Sequence, residues 1–309
     1  MLKLIQNEWM KLMSKKATWI MAILLVVAIV GFTGLSKLSE RFTDTTWLED
    51  MEADVVQMEE QLASPDLTDD ERADLEAQKQ GLEETIATNE EWNQPGSRES
   101  IIVNAFGIML LVTLFTIIAS AGIVASEFSQ GTIKMLLSRP VKRWKILTSK
   151  YVTILLFGLA LTVLTYVFTI ISAFIFFPAA EGNSIIWSGS DLAVTAVWAK
   201  SAYMMFLSLM NVFMISTFAF MVGSVFRSTS LAVGLSIFFF FTGSMIVLFL
   251  EKFEIAKYIF FAHDLTQYEI GFKMLESNTM ALSVAVLSVY AVLFMVVSYL
   301  TFIKRDVTA

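Results

Sequence analysis

Six stretches of this sequence run for 19 to 27 residues without one Asp, Glu, Lys, Arg or His: Ala17–Leu35, Ser100–Ser126, Tyr151–Phe177, Ser201–Phe226, Ser228–Leu250 and Ser277–Ile303. About 20 apolar residues of α-helix cross a hydrocarbon core at about 1.5 Å each. A helix also closes its own backbone hydrogen bonds, which a bilayer interior requires. The expected fold is an all-α membrane protein with six transmembrane helices. Composition agrees, with 56% hydrophobic and only 17% charged residues, outside the range of soluble domains.

Charge is unevenly placed. The segment from Lys37 to Glu99 holds 19 acidic and 5 basic residues, net −14, while the rest of the chain is net +7. Thirteen basic residues fall in one set of connections: Lys3, Lys11, Lys15 and Lys16 before the first span, six between Lys134 and Lys150, Arg227, and Lys304 and Arg305 at the end. Lys and Arg accumulate on the cytoplasmic side, so both termini are expected inside and the acidic segment outside. Lys15 and Lys16 before an apolar run resemble a signal peptide, but the run is long and lacks a small-x-small cleavage site, so an uncleaved anchor is expected. A plasma membrane location in a bacterial cell fits this layout.

Between and before the spans, helical periodicity continues. Leu2, Ile5, Trp9, Leu12 and Met13 form one stripe opposite Lys3, Gln6, Asn7 and Lys11, which predicts a cytoplasmic interfacial helix over 1–16. In the acidic segment, Thr46 with Glu49 and Thr68 with Glu71 match the S/T-x-x-E capping box, and Ser64-Pro65-Asp66 interrupts the chain between them. Met51, Val55, Met58 and Leu62 make one apolar stripe, and Leu75, Leu82 and Ile86 another, so 36–99 is expected to be an extracellular helical hairpin ending at Pro95-Gly96. FPAAEGNSIIWSGSD reads as a short outer loop. Residues 251–276 read as short outer helices anchored by Tyr258 and Tyr268. His263, the single histidine, stands beside Asp264, and a structural hydrogen-bonded pair is the expectation there.

Several chemistries are excluded. There are no cysteines, hence no disulfide and no thiol catalysis. No calcium-loop pattern occurs and no metal site is expected. GFTGLSKLS lacks the second glycine of a phosphate loop, since Ser36 follows Gly31 at that spacing, so no nucleotide is expected on this chain. Secondary transporters usually carry ionisable residues within their spans, and these six runs have none. Nothing points to nucleic acid.

The connection after the second span, SEFSQGTIKMLLSRPVKRWK, carries the most specific pattern. An acid (Glu127), a Gly-Thr pair (Gly131, Thr132), Ile133, a Leu-Leu pair (Leu136, Leu137) and a Ser-x-Pro-x-x-Arg ending (Ser138, Arg139, Pro140, Arg143) resemble the loop between the second and third helices of ABC-2 type permeases, the membrane subunits of ATP-binding-cassette exporters. Span number, the interfacial helix, the internal termini and the long connection between spans five and six agree with the resemblance. The acidic hairpin has no counterpart in it.

The resemblance implies a permease subunit, not itself an enzyme, that lines a translocation pathway and exports a hydrophobic or amphipathic substrate such as a peptide, antibiotic or lipid. It implies two copies of a cytoplasmic ABC ATPase, which hold the ATP and Mg, and a second permease subunit, identical or related. Residues 127–150 would form the coupling segment, with Glu127, Gly131, Thr132, Ile133, Leu136, Leu137, Arg139 and Pro140 docking the ATPase, while nearby Lys and Arg meet membrane lipid. Asn104, Asn211, Thr162, Thr165, Tyr166 and Thr169 are candidate pathway residues, chosen as polar groups within spans. The alternative reading is a membrane-anchored sensor or resistance protein that uses the acidic hairpin without transport.

Overall fold

The computed structural model describes residues 1–42, 46–62, nine positions between 72 and 86, 96–132, 141–180, 182–187, 190–226, 228–271, 273–275 and 277–304. Six of its helices are long and apolar enough to cross a membrane: Lys16–Ser39, Arg98–Ser129, Arg143–Phe176, Val194–Val225, Thr229–Phe249 and Met280–Ile303. All six uncharged runs of the sequence therefore appear as helices. Most extend past the runs, because a charged residue ends a buried segment without ending a helix. Arg143–Lys150, read as part of a cytoplasmic connection, is the opening of the third long helix.

Two compact units divide the chain. The first contains Met1–Ile29, Val103–Phe168 and Trp198–Ala309. It starts with α1 (Leu2–Met13), followed by α2 (Lys16–Phe42). The turn between them is tightly satisfied: the last carbonyls of α1 receive Ser14 Oγ at Lys11 O, Thr18 Oγ1 at Leu12 O and Trp19 Nε1 at Met13 O. The predicted stripe of α1 is shifted. Leu2 is exposed, and Glu8 takes a place in the packed face with Leu12.

Two large core clusters stand out in this unit among the described residues. One joins Leu12, Leu25 and Ile29 to Val112 and Val124 of α5 (Met109–Ser129), to Leu147, Ile154 and Phe157 of α6 (Arg143–Phe176), and to Val212 and Phe220 of α7 (Val197–Val225). The other joins the opposite faces of α5 and α7, through Ala121, Ala125, Ala219 and Val222, to Ala232 of α8 (Thr229–Phe249) and to Leu287 and Phe294 of α10 (Met280–Lys304). Close approach of α5 and α7 depends on Gly223, where a Cβ would overlap the backbone of Ala121. Small residues at such crossings are what a membrane interior favours, since lipid is as apolar as any side chain.

Short helical turns at Glu254–Tyr258 and Phe260–Ala262, and α9 (Gln267–Ile270), fill the connection before α10. Phe260 and Phe261 pack inward around Phe218, and Gly243 leaves the space that Phe261 fills. Tyr258 is exposed as an anchor would be, whereas Tyr268 is turned inward to bond Ser283. His263 and Asp264 take different partners: His263 Nδ1 meets Ser283 Oγ at 2.7 Å and Nε2 meets Lys257 O at 3.0 Å, while Asp264 accepts from Asn211 and Thr266.

The second unit comprises Val30–Ile102 and Thr169–Val197. It contains α3 (Thr46–Leu62) and α4 (Arg98–Val103). Within the acidic segment, Val55, Met58 and Leu62 on α3 are half-buried among exposed neighbours, as are Leu75, Lys79, Leu82 and Ile86 beyond it, so the described members of both apolar stripes face inward; the side chain of Met51 lies outside the described residues. Lys79 reaches Glu59 at 2.6 Å from 20 residues away. Thr68 and Glu71 of the second capping box lie outside the described residues. The segment after the third span, expected as a loop, contains a two-stranded antiparallel hairpin, β1 (Ser184–Trp187) and β2 (Ser190–Ala193), with Ile185 and Trp187 buried. The alternation of Ile185 and Trp187 carries the two-residue strand period, which a run this short makes hard to see in sequence.

Candidate functional site

A buried ion network closes one end of α5. Gln130 is the C-cap of that helix, and Gly131 follows with φ +70°, a left-handed conformation that costs glycine nothing. The turn at Gly131 sends Thr132 back along the helix, where its hydroxyl donates to Glu127 Oε2. The Glu-x-x-x-Gly-Thr spacing thus has a mechanical cause: the acid sits one turn inside the helix, glycine reverses the chain, and threonine returns to the acid.

The other carboxylate oxygen of Glu127 is shared. Lys11 of α1 pairs with Oε1, and Lys150 of α6 donates to the same atom at 3.1 Å. Lys150 also donates to Glu8 Oε2 at 2.8 Å. Glu8, Glu127 and Lys150 are 9%, 4% and 1% exposed, so this network is inside the protein. Removing charges from water is costly unless each finds partners, and here every buried one does. Glu8, Lys11, Lys15, Ser126, Glu127 and Lys150 line one pocket beneath α1. Lys15, at its mouth, is held below the ordinary lysine range, first by burial and then by the repulsion of Lys11 and Lys150.

Glu127 therefore differs from the expected rim charge, for its carboxylate is occupied by internal partners. Ile133, Leu136, Leu137, Arg139 and Pro140 lie outside the described residues. Past them, Arg143 opens α6 and donates to Ile303 O, at the far end of α10, at 3.0 Å. Thr148 and Tyr299 join the same two helices at 2.5 Å.

The candidate pathway residues are dispersed. Thr162 and Thr165 are buried and bond the carbonyls of Gly158 and Leu161 in their own helix. Tyr166 meets Ser201 at 2.8 Å. Asn211 donates to Asp264 Oδ2 at 2.9 Å, and Asp264 also receives the Thr266 amide and hydroxyl. Asn104 is exposed on a 3-10 turn, and Thr169 belongs to the second unit with its hydroxyl buried and unpartnered. Sequence reasoning missed Glu8, Lys11, Lys15 and Lys150 as site residues. The available signal was Glu8 standing at the i+3 position of an apolar stripe, three residues after Ile5.

Comparison with known proteins gives a consistent placement. The family model described as "Protein of unknown function (DUF2705)" matches residues 91–308. "Uncharacterized protein YhcI" of Bacillus subtilis (strain 168) is 35% identical over 322 aligned positions, covering 99% of both chains. "Uncharacterized membrane protein YdbK" of the same organism is 31% identical over 202 positions, which span 64% of this chain and 78% of that protein.

Proposed function

This chain belongs to the DUF2705 family and is a multi-pass membrane protein by its six apolar helices; from the resemblance of its Glu127-Gly131-Thr132 loop pattern to ABC-2 type permeases, we propose that it is the permease subunit of an ABC-2 type transporter. It works with a separate cytoplasmic ABC ATPase, present in two copies with ATP and Mg, and with a second permease subunit. Both termini and the segment following α5 face the cytoplasm, and the acidic segment forms an extracellular helical hairpin. The cargo is a hydrophobic or amphipathic molecule carried outward.

The observation that carries this reading is the bonding of the Glu127-Gly131-Thr132 turn to three helices at once. A loop pushed by an ATPase must be tied to the spans, or the push is lost in local bending. Thr132 holds the turn to Glu127, and Glu127 is tied through Lys11 to α1 and through Lys150 to α6. Displacing the turn therefore strains charges buried in the bundle. A network of this type has few intermediate arrangements, which suits a switch between discrete states.

Purification from its own host in mild detergent tests the reading. A soluble ATPase recovered at near one-to-one ratio, with vanadate-sensitive hydrolysis, is the expected result. Gly131→Pro combined with Leu136→Asp should then lower ATPase recovery. A folded protein with no nucleotide-binding partner would overturn the proposal. It would favour the alternative of a membrane-anchored sensor, for which the acidic segment, part of a compact unit of its own, is the natural ligand-binding element.

A further inference from the structure

Three ammonium groups and two carboxylates share the pocket beneath α1. Lys11 and Lys150 are matched to Glu127 and Glu8. Lys15 is left over, with no ion pair among the described residues. A lysine at a helix C-terminus ordinarily turns to the last carbonyls of that helix. Here those of Lys11, Leu12 and Met13 are taken by Ser14, Thr18 and Trp19. The pocket thus holds one cation more than its anions, and the surplus charge stands at its open mouth.

We infer that this mouth binds a phosphate group of single negative charge, seated on Lys15 beside the Ser126 hydroxyl, and that a phospholipid headgroup of net single negative charge supplies it. One negative charge balances the pocket. The choice of a lipid over a soluble phosphate comes from α2: Trp19, Ile23 and Val27 follow Lys15 at intervals of four residues and are all exposed, with Ile20 and Leu24 beside them. Acyl chains of a lipid whose headgroup rests on Lys15 lie along this stripe, a surface for which inorganic phosphate has no use. Trp19, its indole bonded to Met13 O, stands at the level where tryptophan meets headgroups. The inference requires only that α2 crosses a membrane, and holds or fails independently of any ATPase.

The test is native mass spectrometry of the full chain released from detergent, after exchange into phosphatidylglycerol, phosphatidylcholine or no lipid. The wild type should retain one phosphatidylglycerol and little phosphatidylcholine. Lys15→Gln should lower that retention about fivefold, the worth of one basic contact to an anionic headgroup, while Lys16→Gln, outside the pocket, should leave it unchanged. Monodisperse elution of both variants establishes that they fold. Thermal protection by millimolar inorganic phosphate, sensitive to Lys15→Gln and without lipid retention, would keep the anion site and assign it to a soluble phosphate. Equal retention of phosphatidylglycerol by wild type and Lys15→Gln, or equal retention of both lipids by the wild type, would overturn the inference.

Discussion

Lys150 Nζ lies 2.8 Å from Glu8 Oε2, across 142 residues of chain, and both groups are buried. The same ammonium reaches Glu127, so one lysine neutralises carboxylates from two different helices. α1 is thereby part of the bundle by charge as well as by the packing of Leu12.

Replacing Lys150 tests this arrangement. Lys150→Met strips buried Glu8 of its ion-pair partner and leaves Glu127 with Lys11 alone, and should cost about 3 kcal/mol, in line with removal of one partner from a buried ion pair. Lys150→Met combined with Glu8→Gln should recover part of the loss, because one stranded charge is gone. Thermal unfolding in detergent reads both. Equal stability of single and double variants would mean that Glu8 and Lys150 are not coupled.

Gly131 provides a local test. At φ +70° a β-branched residue is strained by about 1–2 kcal/mol. Gly131→Val should lower stability by that amount and release Thr132 from Glu127, whereas Gly131→Asn should cost less. Protease nicking after α5 measures the release, and identical nicking of Val and Asn variants would contradict a left-handed turn.

At the crossing of α5 and α7, the obstacle to a side chain is backbone. Gly223→Ala should destabilise by about 1–3 kcal/mol, since the Ala121 carbonyl cannot rotate aside. Gly34→Ala, where a Cβ meets nothing within 4 Å, should be neutral or stabilising by up to about 1 kcal/mol. Thermal unfolding of the pair separates steric overlap from helix propensity.

His263 sets a pH response. Burial pushes its imidazole below the usual 6.5, so the folded chain binds a proton less readily than the unfolded chain. Its contribution is complete above pH 6.5 and falls away as pH drops through the lowered folded value. Unfolding temperature should therefore decrease between neutral pH and pH 5, and His263→Gln should flatten that slope. An unchanged slope in the variant would assign the acid sensitivity elsewhere.

The helical bundle was legible because its rule is local. Twenty uncharged residues specify a membrane helix whatever surrounds them, and all six runs appear as helices. Val55, Met58 and Leu62 were likewise readable from helical spacing, and they face inward. Glu127, Gly131 and Thr132 were singled out by resemblance to a family loop, and the bond that joins Thr132 to Glu127 closes within six residues.

What the sequence determined by itself, then, is that six long apolar segments form helices and that a further helix precedes the first of them, properties that a stretch of chain settles with its solvent. Tertiary structure alone decided that Glu8 belongs to the packed face of α1, that Lys11 and Lys150 converge on Glu127, that His263 bonds Ser283 rather than Asp264, and that Asp264 pairs with Asn211. Charge has no periodicity. A buried ion is tolerated only where partners from distant segments meet it, and packing chooses those partners after the helices exist.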